Sequence, residues 1–170
     1  CSLIKDKDVR DGCVAELAKA KKDLKVCELI VSETTKAYCQ EELAVINNDH
    51  SICSNIKDKY WKDICNYNLA VKNNKELYCS LIGDETQKFT CFETIAYATN
   101  NPITCEFLGD KKEICIFTIA RQTKNPELCG QLTNAVNKNA CILKVAKLSN
   151  NRGLCEKINI KPIKEDCLGY

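Results

Sequence analysis

The chain has 170 residues, 14 cysteines, one histidine and a formal net charge of +2. This length suits one ordinary domain or a short repeat array, and the balanced charge gives no reason to expect nucleic acid as a partner. No apolar run approaches the roughly 18 residues that a membrane helix needs, so we expect no membrane span.

The cysteines point to a disulfide-rich protein. They make up about 8% of the chain, near the level typical of disulfide scaffolds. The sequence has no C-x-x-C pair, and its only histidine is His50. Zinc ribbons, thioredoxin-like sites and c-type haem attachment need one or the other, so we predict no metal and no cofactor. Paired cystines indicate an oxidising compartment such as the cell exterior.

The spacing of the cysteines is periodic. Steps of 12 and 14 residues alternate along the chain, with one step of 10 between Cys105 and Cys115. A fixed period of 26 residues is the signature of a repeat protein, and we interpret residues 1–170 as a single repeat array. Each unit has a leading and a trailing cysteine, and the seven units begin at Cys1, Cys27, Cys53, Cys79, Cys105, Cys129 and Cys155.

Apolar residues recur with helical spacing in every unit. An aliphatic residue stands three positions after each leading cysteine, and an aliphatic residue followed by alanine stands four and five positions after each of the first six trailing cysteines. Spacings of three and four residues are typical of helices. We therefore predict an all-α fold, an α-solenoid of about seven disulfide-stapled helical hairpins, each with a short helix of roughly 8 and a longer helix of roughly 14 residues.

Polar residues mark the helix starts. Asn before Pro, at Asn101 and Asn125, predicts an N-cap with proline at the first helical position. The same position in other units holds Asp23, Asp49 and Asn151. A second cap site, at the start of the longer helix, is predicted at Asp6, Asp58, Asp84 and Asp110, the last two after a glycine that ends the preceding helix.

Two disulfide registers are consistent with the spacing. In the first, leading and trailing cysteines of one unit pair as Cys1–Cys13, Cys27–Cys39, Cys53–Cys65, Cys79–Cys91, Cys105–Cys115, Cys129–Cys141 and Cys155–Cys167. In the second, each trailing cysteine pairs with the next leading one. The predicted turn lies near the middle of the first loop and off-centre in the second, so the first brings its sulfurs to similar heights on antiparallel helices. The geometry favours the within-unit register.

Two surface patterns are candidates for binding. A basic residue precedes every trailing cysteine by three positions: Arg10, Lys36, Lys62, Lys88, Lys112, Lys138 and Lys164. This row is either an anion-binding ridge or one half of local ion pairs such as Asp6–Arg10, Asp58–Lys62 and Asp84–Lys88. Acidic neighbours at Asp11, Asp63, Glu113 and Glu165 dilute the ridge, so we favour local pairs.

Tyr60 and Trp61 occupy helix positions that are mostly polar in other units. An exposed tryptophan there is either a binding hot spot, together with Lys62 and Lys88, or part of a larger central core. No Ser/His/Asp set, nucleophile elbow or glycine-rich phosphate loop is present, so we do not expect an enzyme.

The two ends of the array are uncapped fragments of a unit. Solenoids usually carry polar capping repeats, so either the sequence is a slice of a longer array or the ends of two copies complete each other. In the second case, Leu168 and Tyr170 pack near Leu3 and Ile4 of the next copy.

The pattern C-x-x-I…[KR]…C-x-x-x-L-A…[ND]-[ND]-P-x-L-C resembles cysteine-repeat helical proteins of prokaryotic, notably archaeal, cell surfaces. The resemblance covers the whole chain and implies a disulfide-stapled helical array without an active site. The leading hypothesis is thus an extracellular or cell-surface structural protein, such as a subunit of a head-to-tail filament or sheath. The alternative is a surface binding or adhesion module that recognises a glycan or a protein.

Overall fold

The computed structural model describes residues 1–169 and is all-helical, with no strand among those residues. Tyr170 lies outside the described residues. The α-helices are α1 (Lys7–Lys21), α2 (Leu24–Cys27), α3 (Glu33–Asn47), α4 (His50–Asn55), α5 (Lys59–Asn73), α6 (Glu76–Cys79), α7 (Glu85–Thr99), α8 (Lys112–Thr123), α9 (Pro126–Cys129), α10 (Ala135–Ser149) and α11 (Lys161–Leu168). Segments Pro102–Lys111 and Arg152–Lys157 are 3₁₀-helical, and the first of them is interrupted by a kink at Gly109.

The chain divides into two compact units, Cys1–Cys91 and Phe92–Tyr170, which are larger than the seven repeat units of the sequence. In the first unit α1 packs on α2 and α3, and α3 packs on α4 and α5. In the second unit α8 packs on α9 and α10, and α10 packs on α11. Within each of these two units, helices of successive hairpins therefore pack on one another, as expected of a repeat fold. Within residues 1–169, no helix combines the length and the apolar character needed to cross a bilayer.

Each hairpin has one disulfide between its leading and trailing cysteines. We number the hairpins 1 to 7 by their leading cysteines. All seven bonds are in the favoured register, with both cysteines in one hairpin. They are Cys1–Cys13, Cys27–Cys39, Cys53–Cys65, Cys79–Cys91, Cys105–Cys115, Cys129–Cys141 and Cys155–Cys167. Their Cα–Cα distances lie between 5.5 Å at Cys53–Cys65 and 5.8 Å at Cys27–Cys39. These distances are the usual ones for a cystine.

The short α-helices are shorter than the roughly 8 residues that the sequence predicts. They span 4 residues in α2, α6 and α9 and 6 in α4. The chain leaves helical geometry soon after the leading cysteine, because the aliphatic residue three positions later turns back to bond the cysteine carbonyl. In hairpin 2, for example, the Ile30 N–H donates to the Cys27 oxygen at 3.1 Å.

The predicted N-caps are confirmed with one exception. Asp23, Asp49, Asn101, Asn125 and Asn151 accept a backbone N–H at the starts of the short helices. Asp6, Asp58 and Asp84 do so at the starts of long helices. The prediction for Asp110 was wrong, because this residue lies inside the 3₁₀ segment and α8 begins two residues later. Gly109 reverses the chain there with φ +50°, as predicted for a glycine that ends a helix, whereas the φ of Gly83 is not positive.

The ten-residue step is absorbed by the long helix. α8 begins three residues before its trailing cysteine, Cys115, whereas α5 begins six residues before Cys65. The Cα–Cα distance of Cys105–Cys115 stays at 5.7 Å. The deletion therefore removes the first turn of the helix and leaves the hairpin's disulfide in place.

The long helices end alike. The residue nine positions after the trailing cysteine adopts a left-handed conformation: Lys22, Asn48, Asn74, Asn100, Lys124 and Asn150. The N–H of the following residue then donates to the carbonyl of the repeat's alanine, as Asn125 does to Ala120 at 3.0 Å. This pattern is a Schellman-type helix end. All six of those alanines are fully buried, which is consistent with the close approach predicted there: Ala18, Ala44, Ala70, Ala96, Ala120 and Ala146.

Candidate binding and assembly surfaces

A side chain on each of four long helices bonds the loop of the following hairpin. We call this contact the clamp, and it comes from the residue two positions before the trailing cysteine. Asp11 accepts from the Val31 and Ser32 N–H groups at 3.1 and 2.8 Å. Asp63 accepts from those of Gly83 and Asp84 at 2.8 and 3.0 Å. Both carboxylates are buried, with exposures of 1% and 4%.

The second unit has two further clamps. Glu113 accepts from the backbone N–H groups of Thr133 and Asn134 at 2.8 and 3.2 Å. Asn139 accepts from the Asn159 N–H at 2.8 Å, so an amide oxygen takes the place of the carboxylate in hairpin 6. Hydrogen bonds from Thr133 and Asn137 hold the pKa of Glu113 at about 2, below its ordinary value of 4.5.

Sequence reasoning missed the clamp. It treated Asp11, Asp63 and Glu113 as acidic neighbours that weaken a lysine ridge, because their acceptor role depends on loops 20 and 21 residues away. The sequence does carry a signal for the clamp: a side chain that can accept hydrogen bonds recurs two positions before the trailing cysteine. It is interrupted at Ala37 and Phe89, which occupy the clamp position of hairpins 2 and 4.

The basic row is largely paired with acids. Lys112 and Lys164 lie 2.7 Å from Glu106 and Glu156, each of which directly follows a leading cysteine, and Lys36 lies 3.8 Å from the equivalent Glu28. Lys88 lies 2.6 Å from Glu85. Local pairing was predicted, but the proposed Asp6–Arg10, Asp58–Lys62 and Asp84–Lys88 partners were wrong. Those aspartates are held instead by backbone N–H groups as N-caps.

Tyr38, Tyr60 and Trp61 form an aromatic cluster at the surface of the first unit. The Trp61 ring meets Tyr38 and Tyr60 edge to face, with centroids 5.5 and 5.6 Å apart. Trp61 is half-buried against the core, whereas Tyr60 is 59% exposed. Lys62 is half-buried beside them in α5. Trp61 is thus partly packed against the core and partly exposed at the surface.

His50 has a structural environment. Its Nε2 lies 3.0 Å from Asn66 Oδ1, and its ring stacks on Tyr78 at 4.8 Å. Among residues 1–169 no group of three or more histidine, cysteine, aspartate or glutamate side chains is placed to hold a metal ion.

The flank of hairpin 1 is less covered than those of the other hairpins. Leu17 is 39% exposed, although its equivalents Leu43, Leu69, Ile95, Ile119 and Val145 are fully buried. Ile4 is half-buried, and Leu3 is almost fully exposed. In hairpin 7, Leu168 is also exposed. Leu3, Ile4 and Leu168 are the predicted assembly residues that the structure describes.

The fold defines a cysteine-repeat helical protein stabilised by seven disulfides, of the kind found in oxidising environments. No protein-family model, no curated protein and no solved structure matches the chain.

Proposed function

We propose that this protein is a non-enzymatic structural component of a cell surface or extracellular matrix that self-associates head to tail. The uncovered flank of hairpin 1 carries this proposal. The equivalents of Leu17 in the five other complete copies of the repeat are fully buried. An exposed aliphatic side chain at this repeat position suits packing against another copy of the same repeat, and we infer that hairpin 7 of a second molecule supplies it.

The clamp position supports the same arrangement. Glu165 stands two residues before Cys167 and is exposed, with a distant ion-pair contact of 3.9 Å to Lys161. At the other end of the chain, the Lys5 and Asp6 N–H groups occupy the loop position that a clamp bonds, and neither donates to an acceptor within the described residues. A head-to-tail contact that does not close on itself produces a filament.

The test is sedimentation velocity of the oxidised chain over a range of concentrations. We expect wild-type protein to form species whose mass grows with concentration. Leu17→Glu should weaken association at least about 10-fold, because burying one leucine contributes roughly 1.5–3 kcal/mol. Leu77→Glu is the matched control, since Leu77 is 69% exposed elsewhere in the first unit. A wild-type chain that stays monomeric at every concentration contradicts the proposal.

The aromatic cluster favours a second candidate, a surface module that binds a glycan. Tyr38, Tyr60 and Trp61 offer ring faces and edges beside the half-buried Lys62. A sugar ring can stack on these aromatic rings, and aromatic residues often contribute most of the binding energy of a site. Glycan-array binding by wild type and loss of it in Trp61→Ala and Lys62→Ala, with sedimentation unchanged, supports this candidate. Loss of assembly in the same variants supports the structural role instead.

A further inference from the structure

Hairpins 2 and 3 are joined without a clamp. The clamp position of hairpin 2 is Ala37, whose methyl group accepts no hydrogen bond. The loop of hairpin 3 still presents Lys57 and Asp58, the equivalents of Val31 and Ser32 in hairpin 2. In the described part of the chain, neither the Lys57 nor the Asp58 backbone N–H has an acceptor. This pair of donors is available to an acceptor from outside the chain.

The unoccupied clamp position opens into a cavity. Ala37, Lys57 and Asp58 all line this space, whose volume is about 550 Å³. Sites for small ligands have volumes of roughly 300–1,000 Å³. Three other hairpin junctions show which acceptor suits such a loop, because Asp11, Asp63 and Glu113 each place one carboxylate against two successive N–H groups.

The rest of the wall is polar and of mixed charge. Gln40 and Asn55 contribute amide groups, and Lys36 contributes an ammonium. Lys36 lies 3.8 Å from both Glu28 and Glu33, so much of its charge is already balanced. A multiply charged anion would face these glutamates. A ligand with one carboxylate and several hydroxyl groups fits the wall better, because hydroxyls can donate to glutamates and accept from amides.

We propose that this cavity binds a sugar acid, such as a uronate, whose carboxylate accepts from the Lys57 and Asp58 N–H groups where a clamp carboxylate lies at other junctions. The sugar hydroxyls contact Gln40, Asn55 and Glu28. This site does not depend on self-association or on the aromatic cluster. Its test follows the NMR signals of the Lys57 and Asp58 amides directly.

The experiment is a titration of the ¹⁵N-labelled full chain followed by amide chemical shifts. Glucuronate should shift the Lys57 and Asp58 amides saturably, glucose should not, and acetate should bind at least about 10-fold more weakly. Tetragalacturonate distinguishes a polysaccharide source from a free sugar acid: tighter binding than glucuronate indicates the polymer, and equal or weaker binding the free acid.

Two variants make the test specific. Ala37→Asp supplies an internal clamp and should abolish the response to glucuronate. Ala37→Asn, which provides the same amide acceptor as Asn139 does in hairpin 6, replaces it if the aspartate variant does not fold. Asp63→Ala should create a second response, at Gly83 and Asp84. The proposal is overturned if wild type shows no saturable shift, if glucose or acetate acts as strongly as glucuronate, or if the filled variants respond like wild type.

Discussion

A clamp carboxylate satisfies backbone donors that local structure leaves unpaired. Asp63 is 4% exposed and accepts from two successive N–H groups of the next hairpin. Hydrogen bonds to charged groups each stabilise a fold by roughly 1.5–3 kcal/mol, and an orphaned buried donor costs a similar amount. The clamp therefore fixes how one hairpin sits on the next, in addition to the packing of aliphatic side chains.

Removing one clamp should have a measurable cost. We expect Asp63→Ala to lower the free energy of unfolding by about 2 kcal/mol, because the Gly83 and Asp84 N–H groups lose their acceptor. Urea denaturation with the disulfides intact measures the change. Asp110→Ala is the matched control: Asp110 is exposed and caps no helix, so its loss should stay within about 0.5 kcal/mol. Equal losses in the two variants would contradict a clamp role.

Glu113 should make the free energy of unfolding depend on pH. Its pKa is about 2 in the folded protein and ordinarily 4.5, so its contribution is present above pH 4.5 and fades as the pH falls toward 2. Comparing urea midpoints of wild type and Glu113→Gln between pH 2 and 6 checks this. The advantage of wild type should shrink steadily below pH 4.5. A constant difference across that range would show that the charge of Glu113 is not involved.

At the scale of the element, each hairpin is too short to be stable alone. Isolated helices shorter than about 12–15 residues are marginal in water; the short α-helices here have 4 to 6 residues, and the long helices reach only 15. The disulfide compensates by joining each long helix to the leading cysteine of its hairpin, and the Schellman-type end defines where six of the long helices stop. Only one of these two features can be predicted from the sequence. The cysteine spacing predicts the first, whereas the second depends on a backbone conformation adopted by lysine as well as by asparagine.

One disulfide should contribute much of a hairpin's stability. Cys53 and Cys65 enclose a loop with a sequence separation of 12, and both are fully buried. Replacing both by alanine should lower stability by about 3 kcal/mol through the unfolded state, with a further loss from the core. The pair Cys1–Cys13 is the control, since Cys1 is exposed and Cys13 half-buried. Urea unfolding should show the smaller loss there, and the reverse order would contradict this account.

Glycine at a left-handed helix end should increase the stability of the protein. Lys124 has φ +53°, where a residue with a Cβ is strained and glycine is not. Lys124→Gly should raise stability by roughly 1 kcal/mol. The same substitution at Lys144, which is exposed in the middle of α10, should lower it by about as much. Thermal unfolding of both variants measures the two changes, and a shift of the same sign in both would refute the conformational explanation.

At the scale of the whole molecule, the local interactions were predictable and those between hairpins were not. The rows of Ile, Leu and Ala indicate which side chains are buried, and Asn and Asp indicate where helices begin. The sequence could not show that Asp11 bonds residues 31 and 32, because side-chain periodicity does not reveal backbone donors on a distant loop. It also could not show that Trp61 is only half-buried, since that depends on Tyr38 in the preceding hairpin.

Disulfide mapping by mass spectrometry of the unreduced protein tests the central claim most directly. Cleavage after lysine, arginine and glutamate separates every cysteine from the next along the chain. The account predicts seven cross-linked fragments, each joining the leading and trailing cysteines of one hairpin, and no free thiol. Fragments that join trailing to following leading cysteines, such as Cys13 to Cys27, or a majority of reduced cysteines, would contradict it.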